Sequence, residues 1–407
     1  MSIIRRQLFA TKLFSPQLAS NKIAVLPARH CVSVATPTQN AAPHNPSPTT
    51  AQTLDTFGIG TAVQPPEPKW QKAGLRIELN CADEQIFQSI VQEIVDRFGW
   101  DNSAYDYAMW RKAFGPNNFG MFFALDENRV PMASTSMAVY PKIAHWSMYY
   151  VKERFRGHKL GRALTQRAME MAGDRHIFGY GEPALVAEMW AKYAEEYGMC
   201  HFLDWQLWSL LAKSADVRPE RLDNDSSVVL KDWQEVPFQK LLTFDVQQTA
   251  GIDRSMYLRE ALRLPESVAK VAISKETGEV VGMCQARHLM SRRIGISLFY
   301  AEKSFIRTFA QFSPFFRPNM LNWFSRSPPL LLRAVLLQFA GPDPSAKFDS
   351  LLYKTPSTNA ESVRILRQLI QNGPVQRWVL TPQFTRHSLP FPGQRIFSIS
   401  DEHVSLI

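Results

Sequence analysis

Two hydrophobic periodicities mark the region that begins at residue 75. Residues 75–79 alternate apolar and polar side chains as a strand does, and residues 87–98 place apolar side chains at helical spacing. Asp83 is suited to cap the start of that helix, and Gly99 is suited to end it. The pattern therefore predicts a strand followed by a helix.

The same two periodicities predict further elements up to residue 210. Apolar residues at helical spacing indicate a second helix, which carries Tyr107, Trp110 and Phe114. The remaining predictions are strands over 121–125, 132–140 and 146–151, a helix over 161–172, a strand over 176–180, a helix through 190–197 and a strand over 202–210. The predicted order is β-α-α-β-β-β-α-β-α-β.

A polar stretch over 223–227 precedes a second series of elements. The predictions there are strands over 268–274, 280–288 and 295–301 and a helix around 365–369. The chain has 407 residues, 45% of them hydrophobic, which is enough for two domains with a core each. We predict one domain over 75–222 and a second over 226–407.

The excess of basic residues lies at the start of the chain. The residues that precede the first acidic residue, Asp55, include five basic ones, namely Arg5, Arg6, Lys12, Lys22 and Arg29. Without these five the formal net charge of +9 falls to +4. That remainder is too small to indicate nucleic-acid binding through phosphates, so no nucleic-acid partner is expected.

Residues 1–34 are typical of a mitochondrial presequence. They are basic, free of acidic residues and without the long apolar centre of a secretory signal. A basic tail with no targeting role is the alternative. Residues 35–74, in which Pro, Thr, Ala, Gln and Asn dominate, are predicted to be a disordered linker. The expected location is the mitochondrial matrix.

The cysteines and the apolar segments indicate no metal centre and no membrane span. Cys31, Cys81, Cys200 and Cys284 lack CxxC or metal-ligand spacing, which fits a reducing compartment. No segment is long and apolar enough to cross a membrane. Residues 311–346, rich in Phe, Pro and Leu, are interpreted as core; the alternative, a membrane-surface patch, is not expected because Pro328–Pro329 interrupts a long amphipathic helix.

The most informative stretch is 155–162, Phe-Arg-Gly-His-Lys-Leu-Gly-Arg, between a predicted strand and a predicted helix. A glycine-bearing turn at the start of a helix gathers backbone N–H groups at the positive end of the helix dipole. Such a turn can hold a pyrophosphate. A basic, solvated helix start with no ligand is the alternative.

That turn, within the predicted order of elements, resembles the GNAT superfamily of acyl-CoA-dependent N-acyltransferases. The family turn is Arg or Gln, two residues, Gly, one residue, then Gly or Ala; Arg156 and Gly161 match, and Lys159 replaces the middle Gly. The resemblance implies that acetyl-CoA or another acyl-CoA binds here, with its pantetheine arm along the strand before the turn. The residues so implied are Tyr149, Val151, Arg156, Gly157, His158, Lys159, Leu160, Gly161 and Arg162.

The resemblance also suggests candidates for the acid and the base of the implied reaction. Residues 189–199 resemble the family's second conserved region, but the family's tyrosine falls on Ala194. Tyr193, one position away, is the candidate acid, and its alternative is a core aromatic residue. His145 and Glu182 are candidate bases because they lie where acceptor and cofactor would meet in such a fold; each is otherwise a polar residue at a strand end.

Residues 244–259 resemble a segment of the C-terminal domain of two-domain GNAT-like acetyltransferases. We therefore interpret the second domain as a degenerate GNAT-like domain that shapes the acceptor site. It has no recognisable glycine turn for a second CoA. Asp253, Arg254 and Arg259 are expected to cap a helix and to form ion pairs at the surface.

The sequence thus predicts an α/β (α+β) protein with a mixed, mostly antiparallel GNAT-type sheet flanked by helices, followed by a second degenerate GNAT-like domain. The resemblance implies an N-acyltransferase, most simply an N-acetyltransferase, in which an amine of a small molecule or protein attacks the thioester directly. Two alternatives stay open. They are a catalytically silent acyl-CoA-binding sensor or scaffold, and an amino-acid N-acyltransferase that uses larger acyl groups.

Overall fold

A computed structural model describes residues 71, 74–182, 196–223, 227–302, 327–372 and 376–407. The predicted presequence, and the predicted linker apart from residues 71 and 74, lie outside these residues. We call residues 74–223 the first half and residues 227–407 the second half.

The described helices and strands are as follows. The strands are β1 (Arg76–Leu79), β2 (Phe119–Leu125), β3 (Pro131–Val139), β4 (Ile143–Val151), β5 (His176–Gly181), β6 (His201–Phe202), β7 (Leu207–Lys213), β8 (Val228–Asp232), β9 (Ser267–Ser274), β10 (Val280–Leu289), β11 (Arg293–Ala301), β12 (Ser350–Pro356), β13 (Gln376–Phe384) and β14 (Ile396–Ser398). The α-helices are α1 (Glu84–Phe98), α2 (Asp106–Phe114), α3 (Leu160–Ala172), α4 (Phe238–Gln248), α5 (Ser255–Leu262), α6 (Ser327–Ala340) and α7 (Ala360–Leu369).

Helix α1 begins and ends where its flanking residues dictate. The Asp83 carboxylate accepts a hydrogen bond from the Gln85 N–H, and Gly99 ends the helix in the left-handed conformation at φ 73°. Its apolar side, from Ile86 to Val95, is buried. The predicted cap, helix and terminating glycine are all present.

Each half contributes the same series of paired strands. In the first half β1, β2, β3 and β4 pair antiparallel in that order, and β4 then pairs parallel with β5. In the second half β8, β9, β10 and β11 pair antiparallel, and β11 pairs parallel with β12. The predicted mixed, mostly antiparallel sheet with flanking helices is confirmed.

The two halves exchange one strand each. β13, from the second half, pairs antiparallel with β5 of the first half, and β7, from the first half, pairs antiparallel with β12 of the second half. β7 and β13 also pair with each other, so the strands of both halves form one continuous sheet. The predicted boundary between residues 222 and 226 stays a prediction, and segments on its two sides share backbone hydrogen bonds.

The strand predicted over 202–210 is interrupted. β6 and β7 both pair with β13, but residues 203–206 between them do not extend the ladder. There the Ser357 N–H donates to the Gln206 carbonyl and the Gln206 N–H donates to the Ser357 hydroxyl, because the loop after β12 passes at this point. The helix predicted through 190–197 lies mostly outside the described residues.

The sheet of the first half has a different core on each face. One face packs against α1 and α2 and buries Phe87, Trp110 and Tyr150. The other packs against α3 and buries Trp146 and Leu164. The positions of functional side chains along β4 can therefore be assigned to one face or the other.

Residues 327–346, part of the segment interpreted as core, include α6, which packs on β9 and β10. Leu331, Leu332, Val335 and Leu336 are buried there, and the prolines at 328 and 329 occupy the first turn, where proline is tolerated. The described helices include none with the length and apolar character needed to traverse a bilayer.

Arg254 is not at the surface, in contrast to the expectation. Its guanidinium is fully buried and bonds to both carboxylate oxygens of Asp245, at 2.8 and 2.6 Å. It also donates to the Ile407 backbone oxygen at 2.7 Å and to the Ser400 hydroxyl at 3.0 Å. The reason is that residues 400–407, which we call the buried tail, cover this helix start and lack exposed surface themselves.

Replacing Arg254 by Met is therefore expected to destabilise the fold by about 3–5 kcal/mol, because it leaves the Asp245 carboxylate buried without its partner. Urea unfolding at neutral pH measures the change. The matched control is Arg263→Met, which removes an exposed arginine paired with Glu260 at 3.6 Å and should cost less than about 1 kcal/mol. An equal loss in both variants would contradict the role given to Arg254.

Candidate active site

β4 separates from its parallel neighbour after three residues. The β4–β5 register runs from Ile143 opposite His176 to His145 opposite Phe178. Beyond His145, no described strand pairs with the β5-side edge of β4. Met148 adopts a left-handed conformation at φ 52°, and the β3–β4 register shifts beside it, so β4 carries a bulge at this point.

The bulge turns consecutive side chains of β4 to one face. Met148 and Tyr150 pack in the core on the α1 and α2 face, whereas Trp146, Tyr149 and Val151 pack on the α3 face. Ser147 also faces the α1 and α2 side, where its hydroxyl contacts the buried tail. Tyr149 and Val151, which the resemblance assigned to the pantetheine arm, thus lie on the edge of β4 that β5 leaves.

The glycine-bearing turn connects this edge to α3. Glu153–Phe155 form one short 3-10 turn, Gly157 follows at φ 81°, and Lys159 precedes α3 at φ 62° and ψ 9°. No side chain caps α3, and its first helical bond runs from the Ala163 N–H to the Lys159 carbonyl. The amides of Leu160, Gly161 and Arg162 therefore stand at an uncapped helix start.

Basic side chains outnumber acidic ones around these amides. The first turn of α3 contains no acidic residue. Arg156 bends back so that its Nε donates to the Val151 carbonyl at 3.1 Å, and His158 Nδ1 lies 3.2 Å from the Arg156 carbonyl. Arg162 pairs with Glu196 at 2.7 Å. The turn therefore combines a helix dipole with basic side chains, as an anion site requires.

Gly161 is fixed by the packing of Tyr149. A Cβ at this position would overlap the Tyr149 hydroxyl and lie 3.0 Å from its Cζ. The second matching glycine thus allows an aromatic side chain of β4 to pack directly on the start of α3. This close approach joins the strand edge and the helix start into one surface.

Lys159 occupies a conformation that favours glycine. At φ 62° a side chain costs about 1–2 kcal/mol, which explains why the family pattern has Gly at this position. The lysine is tolerated because it is exposed and leaves the helix start open.

The three predicted catalytic residues differ in where they lie and in how far they are buried. His145 is fully buried, and neither ring nitrogen has a well-aligned hydrogen-bond partner among the described residues. Burial, with a smaller contribution from His403, lowers the pKa of His145 to about 3. Glu182 is exposed at the end of β5, and Tyr193 lies outside the described residues.

A polar cluster that the sequence did not predict lies next to Ser147. Ser147 Oγ is 3.2 Å from His403 Nδ1, and His403 Nε2 is 3.0 Å from Asp101 Oδ1. The His–Asp contact is short, but its N–H direction is off line for a regular hydrogen bond. His403 and Asp101 are buried, whereas Ser147 is half-buried. Only the fold brings residues 101, 147 and 403 together.

Asp101, Glu402 and His403 have the donor atoms to ligate a metal ion, with their ligand atoms within 4.8 Å of one another. The Lys354 ammonium, however, already bridges the two carboxylates: it contacts Asp101 Oδ2 and lies 2.7 Å from Glu402 Oε2. Burial alone would raise the pKa of Asp101, but Lys354, His403 and Arg287 hold it well below its ordinary value. The lysine supplies the positive charge that a metal would bring.

The corresponding position in the second half is filled. Leu298 of β11 has φ 47°, and β11 leaves its parallel partner β12 after Ile296, as β4 leaves β5. There β14 pairs antiparallel with β11, with Phe299 opposite Ser398 and Tyr300 opposite Ile396. A pantetheine arm would find this edge already paired.

Open depressions on the described surface include one of about 490 Å³, lined by Gly74, Leu75, Asp126, Glu127, Arg154 and Phe155. Another of about 330 Å³ lies at the far end of α3. Neither is lined by residues 157–162. The candidate site is therefore the open surface formed by the β4 edge and the start of α3.

Residues 87–202 match the family described as "Acetyltransferase (GNAT) family". The matched segment includes β4, the turn and α3, so the predicted resemblance is confirmed. No curated protein shows significant sequence similarity to the chain.

Two solved structures share the fold over most of the chain. A putative acetyltransferase from Pyrococcus horikoshii has 11% identity and a TM-score of 0.52, with 82% of this chain and 96% of that chain covered. A tandem GNAT protein from the clavulanic acid biosynthesis pathway has 15% identity and a TM-score of 0.51, with 77% and 100% covered. At 11% and 15% sequence identity, the structural similarity shows a shared fold and nothing about activity.

The environment of His145 predicts a specific loss of stability in acid. Because its pKa is lower in the folded protein than in the unfolded chain, the unfolded chain binds more protons between pH 6.5 and about 3, and stability falls as pH falls through that window. Between pH 6.5 and 5 the native protein should lose about 2 kcal/mol more than His145→Leu. Urea unfolding at both pH values measures this; equal losses would contradict it.

Proposed function

We propose that the protein is an acyl-CoA-dependent N-acyltransferase, because residues 87–202 match the GNAT acetyltransferase family. The proposed reaction is N-acetyl transfer to an amine by direct attack in a ternary complex. The observation that carries this proposal is the uncapped, basic start of α3 beside the edge of β4 that β5 leaves. Gly157 to Arg162 would hold the CoA pyrophosphate, and Tyr149 and Val151 would pair with the pantetheine arm.

The second half supports the proposal because its corresponding strand edge, on β11, is not free to pair with a ligand. With β14 paired to β11, a second acyl-CoA has no matching strand edge there. We therefore assign one acyl-CoA to the chain and an acceptor-shaping role to the second half. The acceptor is an amine of a small molecule or of a protein.

Two alternative functions can be distinguished from N-acetyl transfer by experiment. A silent acyl-CoA sensor is favoured by Lys159 in place of glycine, and it would bind the thioester without releasing thiol in the presence of amines. An amino-acid N-acyltransferase would differ in preferring larger acyl groups. Mass spectrometry of thioester that co-purifies with the protein separates acyl chain lengths.

We also propose a mitochondrial location, on the basis of the basic, acid-free residues 1–34. A fluorescent fusion of the full chain is expected in mitochondria, and the same fusion with Arg5, Arg6 and Lys12 changed to Glu is expected to remain outside them. An unchanged location of that variant would contradict the presequence.

Charge at position 159 tests the site of acyl-CoA binding. Lys159→Glu places a negative charge at the helix start and should weaken acetyl-CoA binding about tenfold or more in calorimetry. Lys159→Gly should bind at least as tightly as the native protein and should raise the free energy of unfolding by about 1 kcal/mol, because it removes the left-handed side chain.

Lys142→Glu is the matched control, since it makes the same charge change on an exposed lysine just before β4, at the end of the strand opposite the turn. It should leave the acetyl-CoA affinity within about twofold of native. Equal weakening by both charge reversals, or absence of binding to the native protein, would contradict the assigned site.

A further inference from the structure

Resting on the proposed function, we infer that Ser147 and His403 form the proton relay of the transferase: Ser147 accepts the proton of the acceptor amine and passes its own to His403, which Asp101 orients. The distances are 3.2 Å from Ser147 Oγ to His403 Nδ1 and 3.0 Å from His403 Nε2 to Asp101 Oδ1.

Ser147 lies on the part of β4 that β5 leaves free. It is the last residue before the bulge at Met148, two residues after β4 leaves β5. A thioester whose pantetheine arm follows Tyr149 and Val151 would bring its carbonyl to this part of the strand. The serine hydroxyl therefore stands where the amine would attack.

His403 is too deeply buried to take a proton from the acceptor without an intermediate group. His403 is 2% exposed and lies between the rings of Trp100 and Trp110, whose centroids are 5.2 and 6.0 Å from its own. An amine on the open edge of β4 cannot reach this imidazole directly. Ser147 is itself a residue of β4, is half-buried, and its hydroxyl lies 3.2 Å from the imidazole, so a proton can pass through that hydroxyl.

The groups around His403 determine which nitrogen accepts the proton. Although the N–H direction is off line for a regular hydrogen bond, the negative charge of Asp101, 3.0 Å from Nε2, favours the neutral ring that carries its hydrogen there and leaves Nδ1 to accept from Ser147. The Glu402 carboxylate, at 3.8 Å, also faces Nε2, and Lys354 bridges Glu402 and Asp101. Burial works against protonation, but Asp101 and then Glu402 and Asp401 raise the pKa of His403. Among the described residues, His145 also lies close enough to interact with His403, and Arg287 lies 3.9 Å from the Asp101 carboxylate.

The reaction balances as follows. The neutral amine gives its electron pair to the thioester carbonyl carbon and forms the C–N bond, while the C–S pair leaves on sulfur as CoA thiolate. The amine proton moves to Ser147 Oγ as the Ser147 proton moves to His403 Nδ1. The products are the amide, the thiolate and a His403 imidazolium beside Asp101; transfer of that proton to the thiolate restores the neutral ring. A positioned base of this kind contributes about 10²–10⁴-fold in rate.

Steady-state kinetics of the full-length protein with acetyl-CoA, a primary-amine panel and hydroxylamine tests the relay. Ser147→Ala and His403→Gln should each lower kcat by about 10²-fold, remove the acidic limb of the kcat–pH profile and leave the acetyl-CoA Kd unchanged. The double variant should lose no more than the single variants, because the two residues act in one path.

Ser136→Ala is the matched control. Ser136 is the cross-strand neighbour of Ser147 on β3, is buried, and its hydroxyl has no hydrogen-bond partner in the described part of the chain. It should keep kcat within about twofold of native.

Three results would overturn the relay. They are a Ser147→Ala variant with native kcat and pH profile, losses that multiply in the double variant, and an acyl-serine at position 147 trapped by mass spectrometry, which would indicate covalent transfer instead. In all three the native protein still binds acetyl-CoA and releases thiol. Failure of the native protein to do either would instead overturn the proposed function and the relay with it.

Discussion

The structure depends on a parallel pairing that stops early. β4 and β5 share only residues 143–145 of β4, and the bulge at Met148 then turns the strand so that its edge meets the start of α3. Tyr149, packed on Gly161, holds the edge and the helix start together. A binding surface made of main-chain groups and a helix dipole follows from this separation, and its shape depends little on the side chains that line it.

In the second half β11 likewise leaves its parallel partner β12 early, but the freed edge pairs with another strand of the same chain. β14 completes the edge of β11, and the chain that leaves β14 becomes the buried tail. Arg254 and Tyr300 both donate to the Ile407 backbone oxygen at the end of this tail. Tyr140 and Tyr180 of the first half donate to the backbone oxygens of Val404 and Leu406. The chain that pairs with the β11 edge through β14 therefore goes on to place His403 beside Ser147 of β4.

Local patterns predicted local structure well. Asp83, Gly99 and the apolar spacing between them were enough for α1, and Arg156 to Gly161 were enough for the turn, because each signal lies within a few residues of the feature it specifies. The exchange of β7 and β13 could not be predicted, since strand partners are chosen by global packing. His403 was missed for the same reason: it lies 256 residues from Ser147, in a segment without periodicity. The burial of Arg254 was missed because its covering tail is equally remote.

The proposed acyl-CoA site consists of the start of α3 and the free edge of β4. Hydrogen–deuterium exchange of the native protein, with and without saturating coenzyme A, tests it at the amides themselves. Coenzyme A is expected to slow exchange at Leu160, Gly161 and Arg162 and at Tyr149 and Val151. Unchanged exchange at these five amides, with slowing elsewhere in the chain or nowhere, would contradict it.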